Sequence, residues 1–113
     1  MKDDTIYLQH ILECIRRIEE HVAGGRQVFF ASHTLQDATL RNLQTMTEAT
    51  QRLSDAVKAT QPHIPWLQIA AFRNILVHNY LGIDLEQVWA IIQRDVPPLK
   101  QAVSVLLASH PTE

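Results

Sequence analysis

Leu8, Ile11, Leu12, Ile15, Ile18 and Val22 return at spacings of three and four, the repeat of one face of an α-helix and not of a strand. The same spacing recurs downstream, and no run of alternating apolar and polar residues is long enough to compete as a strand. A chain patterned this way has to bury helix faces against one another. The 113 residues, 46% of them hydrophobic, suffice for one domain with one core. The reading is therefore an all-α chain, an up-and-down bundle of four to five helices forming a single domain over residues 1–113.

The spacing and its interruptions place the helices. Asp3, Asp4 and Thr5 are candidate caps for the first, and Gly24-Gly25 its stop. Residues 26–34 read as irregular, with Phe29 and Phe30 docked on the core. A second long helix starts near Ser32 or Thr34, carries Leu35, Leu43, Met46, Ala49, Leu53 and Val57 inward, and ends before Thr60-Gln61-Pro62. Pro65 suits the first turn of a third helix. Trp66, Ile69, Ala70, Phe72, Leu76 and Val77 make that helix apolar around much of its circumference, so it is expected to be the most buried. Asp84 can cap a fourth helix through Ile92, and Pro97-Pro98 is expected to force a kink or restart before a last helix from Leu99 to Leu107.

Charge and special residues exclude several classes. A net charge of −2 is not that of a generic nucleic-acid binder, so any polyanion site must be local. The single cysteine, Cys14, cannot form an intrachain disulfide and reads as a small core residue, which fits a reducing cytoplasm. The first ten residues lack the basic and apolar run of a signal peptide, and no stretch reaches the roughly 18 to 20 apolar residues of a membrane span. The expectation is a soluble, cytoplasmic protein without a membrane partner. His10, His21, His33, His63 and His110 are scattered, with no metal-ligand spacing, so no metal and no cofactor is expected. Trp66 and Trp89 read as core residues, and Arg16-Arg17 and Glu19-Glu20 as solvated faces.

One stretch breaks the pattern. Residues 73–80 read RNILVHNY: Arg73, Asn74, His78 and Tyr80 intrude where Leu76 and Val77 still follow the core repeat. Asn74 and His78, four apart, share a helix face, whereas Arg73 is about 140° of rotation from His78. One copy converges poorly. Either the helix frays near His78, or two copies pack so that the arginine of one approaches the histidine of the other across a two-fold axis. A histidine that exchanges a proton near neutrality and an arginine that holds phosphate suit RNA cleavage by its own 2′-hydroxyl. The plainer alternative makes Arg73 a snorkelling cation, Asn74 a surface residue, His78 a cation at the helix C-terminus and Tyr80 a half-buried aromatic.

The same stretch resembles the RX4HXY signature of the HEPN ribonuclease toxins, and specifically the HepT-like family paired with a minimal nucleotidyltransferase antitoxin. The likeness extends over roughly residues 5–107: Asp37-Ala38, Arg41-Asn42-Leu43 and Glu48-Ala49 are similar to the family's second helix, His63-Ile64-Pro65-Trp66 to the turn into the motif helix, and Ile83-Asp84 with Val88-Trp89 to the next. Thr47 departs from it, standing where many relatives have glycine at a helix contact. The resemblance implies a homodimer with both motifs in one cleft, Arg73 and His78 as the ribonuclease pair, and Asn74 completing it. It further implies a type VII toxin–antitoxin system in which the antitoxin, using ATP and Mg²⁺, transfers AMP to the Tyr80 hydroxyl. A noncatalytic HEPN module that holds a nucleotidyltransferase or nucleotide is the alternative. The intact motif letters argue against it.

Overall fold

The computed structural model describes residues 2–109 and, among these, every side chain but those of Lys2, Asp3 and Tyr80. Its helices are α1 (Lys2–Val22), α2 (Arg26–Phe30), α3 (His33–Gln51), α4 (Asp55–Ala59), α5 (Trp66–His78) and α6 (Leu85–Ser109), with a 3₁₀ turn at Tyr80–Gly82 between the last two. No strand occurs among the described residues. The all-α bundle expected from the spacing is what the chain forms.

α1 is the axis of the core. Leu8, Ile11, Ile15 and Ile18 are fully buried, and the helix packs against both α3 and α6, while α5 packs against α3. Each of those side chains contributes roughly 1.5–3 kcal/mol by leaving water. Cys14 is buried beside them, its Sγ 3.2 Å from Thr45 Oγ1, and burial pushes its thiol above the usual cysteine range. It is a core residue, as expected. α1 stops where Gly25 takes a φ of 92°, a conformation that glycine adopts without the steric cost a side chain would bring.

Several boundaries differ from expectation. Asp4 does not cap α1, which already begins at Lys2. Its carboxylate instead accepts from the backbone N–H of Ser54 at 2.8 Å and from the Ser54 hydroxyl at 2.9 Å. Ser54 in turn caps α4 by accepting from Val57 N. The long second helix is thus two helices, broken at Arg52–Ser54, because Ser54 offers its oxygen to a new helix start. The segment after Gly25 is helical rather than irregular. It seats Phe29, fully buried, against Trp89 at 5.3 Å between ring centroids. Trp66 is also structural, its Nε1 donating to the carbonyls of Lys58 and Gln61.

α6 runs unbroken through Pro97 and Pro98. The expected restart at this pair does not occur. Proline removes the N–H that would bond four residues back, to Gln93 and Arg94. Both prolines and both of those residues are exposed, so water can take the freed carbonyls, while buried Val96 and Leu99 hold the turn on the core. Asp84 starts the helix as expected, accepting from Glu86 N at 3.0 Å.

The largest correction concerns α5. Only Leu76 of this helix is buried, whereas Leu67 is 87% and Ile75 44% exposed. An all-round apolar sequence reads as burial on every side, but in a single chain α5 packs Leu76, Trp66, Ile69 and Phe72 on the core and leaves the face of Leu67 and Ile75 exposed.

Candidate active site

α3 and α5 run antiparallel, with Glu48 opposite Arg73 and Leu76 lining a small cavity with Leu40 and Gln44. Thr47 is accommodated at this contact. It is buried, and its hydroxyl donates to the Gln44 carbonyl at 2.8 Å rather than lying unpaired.

Arg73 sits at the edge of this contact, its side chain 29% exposed. Nη2 donates to Glu48 Oε2 at 3.4 Å and Nη1 to Asn74 Oδ1 at 3.2 Å. Its Nε is buried and has no hydrogen-bond partner. Glu48 Oε2 also accepts from Gln44 Nε2 at 3.3 Å. A relay therefore runs from Gln44 through Glu48 and Arg73 to Asn74, crossing from α3 to α5.

His78 is the last residue of α5 and is exposed. Because the helix is continuous to that point, Arg73 and His78 stay about 140° apart around its axis, and Arg73 bonds to Glu48 and Asn74 rather than to His78. The chain therefore brings Arg73 and Asn74 together and leaves His78 on its own. Asn74 and His78 share the exposed face of α5 with Leu67, Ala71 and Ile75. Beside that face, a groove of about 320 Å³ opens between α5 and α6, with Met46 and Thr47 of α3 among its lining residues. Tyr80 begins the 3₁₀ turn two residues beyond His78, and its side chain lies outside the described set. Leu81 next to it is 98% exposed, so the turn is at the surface.

Among the remaining histidines, His10 lies 3.6 Å from Cys14 Sγ, His33 and His63 are exposed, His21 is in the last turn of α1, and His110 lies outside the described residues. No group of three or more potential metal ligands occurs among the described residues. No helix there is long and apolar enough to cross a membrane. Glu48 was not singled out from the sequence as a site residue. Its partner is 25 positions away, and a lone glutamate on an amphipathic helix carries no signal of its own.

An all-helical bundle with an Arg-X4-His motif closing its third long helix defines the HEPN class. The ribonuclease HepT-like family model matches residues 11–106, and the chain belongs to that family. It is 40% identical over 90% of its length to a Methanocaldococcus jannaschii protein named "Gamma-glutamylcyclotransferase and putative RNase MJ0434", of which it spans less than half, 46%. It is 34% identical to "Probable ribonuclease HepT" of Thermococcus cleftensis, over 83% of the chain and 86% of that protein. It is 31% identical to "Putative RNase TTE0752" of Caldanaerobacter subterraneus subsp. tengcongensis, over 95% and 96%. No solved structure gives a significant match.

Proposed function

We propose that this protein is a metal-independent endoribonuclease whose site is completed by a second copy of the chain. The observation that carries this reading is the exposed face of α5. It presents His78 and Asn74 alongside Leu67, Ala71 and Ile75, an apolar surface of the kind that marks an interface. A two-fold axis along this face sets two motifs against each other and provides a pair of imidazoles. One His78 takes the proton of a ribose 2′-hydroxyl as its oxygen attacks phosphorus. The other, protonated, delivers its proton to the departing 5′-oxygen. Arg73 holds the phosphate and stabilises the charge that builds on its non-bridging oxygens. The products are a 2′,3′-cyclic phosphate and a free 5′-hydroxyl.

The family kinship supports the further reading that the chain is the toxin of a type VII toxin–antitoxin system. Its partner is then a minimal nucleotidyltransferase that transfers AMP to Tyr80. A nucleotide there, two residues from His78, adds bulk and negative charge where RNA phosphate must enter. The test is incubation of the purified protein with total RNA in EDTA, followed by end-group analysis. New 2′,3′-cyclic phosphate ends made by the wild type and not by His78→Ala support the reading. RNA left intact by the wild type favours a noncatalytic module that only holds its nucleotidyltransferase.

A further inference from the structure

We propose that Glu48 is a positioning residue for Arg73, holding the guanidinium so that only its two terminal nitrogens are offered to a phosphate. This rests on the ribonuclease reading for its catalytic consequence, but not for its geometry. An unpaired buried N–H donor is unfavourable, and Arg73 Nε is such a donor. A flexible arginine would relieve it by swinging into water. It stays because both ends of the fork are tied, Nη2 to Glu48 on α3 and Nη1 to Asn74 on α5. Glu48 is itself fixed by Gln44, which donates to the same oxygen.

This arrangement selects one edge of the guanidinium. A phosphate can be met in bidentate fashion through Nε with one terminal nitrogen, or through the two terminal nitrogens. Burial of Nε removes the first option. Nη1 and Nη2 each keep one further N–H beyond the bonds to Asn74 and Glu48, and these are what the fork has left for a phosphate. The carboxylate has an opposing effect on ground-state binding, since it competes with phosphate for the same cation. Its contribution is therefore to orientation, and removing it lowers kcat without raising KM.

Two substitutions separate position from charge. Glu48→Gln keeps an oxygen that accepts from Nη2 but loses the charge, whereas Glu48→Ala loses both. On RNA cleavage, Glu48→Ala is expected to lower kcat about 10-fold or more at an unchanged or lower KM, with Glu48→Gln staying within about 3-fold of wild type. In the Arg73→Ala background, Glu48→Ala is expected to cost nothing further, because a residue that acts through another has no effect once that other is gone. Nuclear magnetic resonance of the Arg73 Nε–H gives a readout independent of catalysis. Its hydrogen exchange is expected to be slow in wild type and Glu48→Gln, and about 10-fold faster or more in Glu48→Ala. Equal loss in the Gln and Ala variants, an added loss in the double variant, or Nε–H exchange unchanged in Glu48→Ala would each overturn the proposal. If the wild type cleaves no RNA, the ribonuclease reading fails and the exchange measurement alone decides the role of Glu48.

Discussion

Asp4 and Ser54 stand fifty residues apart in the chain, yet the two oxygens of one carboxylate take both the backbone N–H and the hydroxyl of the other residue. Asp4 is 5% exposed, so this contact ties the first turn of α1 to the start of α4 in a nearly dry setting. Asp4→Ala leaves the Ser54 N–H without its acceptor and is expected to destabilise the fold by about 1–3 kcal/mol. Urea unfolding followed by circular dichroism measures it. A double variant with Ser54→Ala is expected to cost less than the sum of the two single changes.

Cys14 makes a second prediction. Desolvation raises its thiol pKa, which disfavours the reactive thiolate, and the residue is only 2% exposed. Native protein is expected to resist a thiol-specific reagent at pH 7 for as long as it stays folded, and to react stoichiometrically in denaturant. Rapid labelling of the native protein would contradict the packing of α1 on α3.

Much of this fold could be read from apolar spacing, because α1 and α6 each bury one face and their stripes are unbroken. The misreadings have physical causes. Leu53 and Val57 keep a helical interval across a break, so periodicity could not see the break, and its cause, Asp4, comes from fifty residues upstream. The Pro97-Pro98 rule assumes carbonyls that have no other partner, whereas here Gln93 and Arg94, whose carbonyls are freed, are exposed residues. The apolar circumference of α5 reads as burial on every side, whereas Leu67 and Ile75 are exposed in the single chain. In the candidate site, the residue types and the Arg73–His78 divergence were legible. The Glu48 contact was not, since it depends on how two helices are set against each other.

The exposed face of α5 predicts its own disruption. Leu67→Glu or Ile75→Glu places a charge on a surface that is already open in the single chain, so helical content is expected to hold. Sedimentation at micromolar concentration is expected to shift from dimer to monomer. Leu76→Ala, by contrast, removes a buried side chain and is expected to cost about 2–5 kcal/mol of stability. A wild-type chain that sediments as a monomer would remove the composite site.

Tyr80 opens a surface turn, and Tyr80→Phe deletes the oxygen that would accept AMP while keeping the ring. The variant is expected to fold, to retain ribonuclease activity and to resist neutralisation by the cognate nucleotidyltransferase with ATP and Mg²⁺. Intact-mass measurement checks it. Mass added in whole AMP units on wild type and absent from Tyr80→Phe is the predicted result, and addition persisting in the variant would put the acceptor elsewhere.

The measurement that bears most directly on a shared Arg73/His78 site is the rate of RNA cleavage in EDTA by wild type, Arg73→Ala and His78→Ala, each checked by circular dichroism for unchanged helix content. Losing one donor aimed at developing charge costs on the order of 100-fold or more in rate, and losing the proton carrier costs about 100- to 10,000-fold. Both variants are therefore expected to fall at least about 100-fold below wild type while remaining folded. Cleavage at the wild-type rate by either folded variant would contradict the assignment.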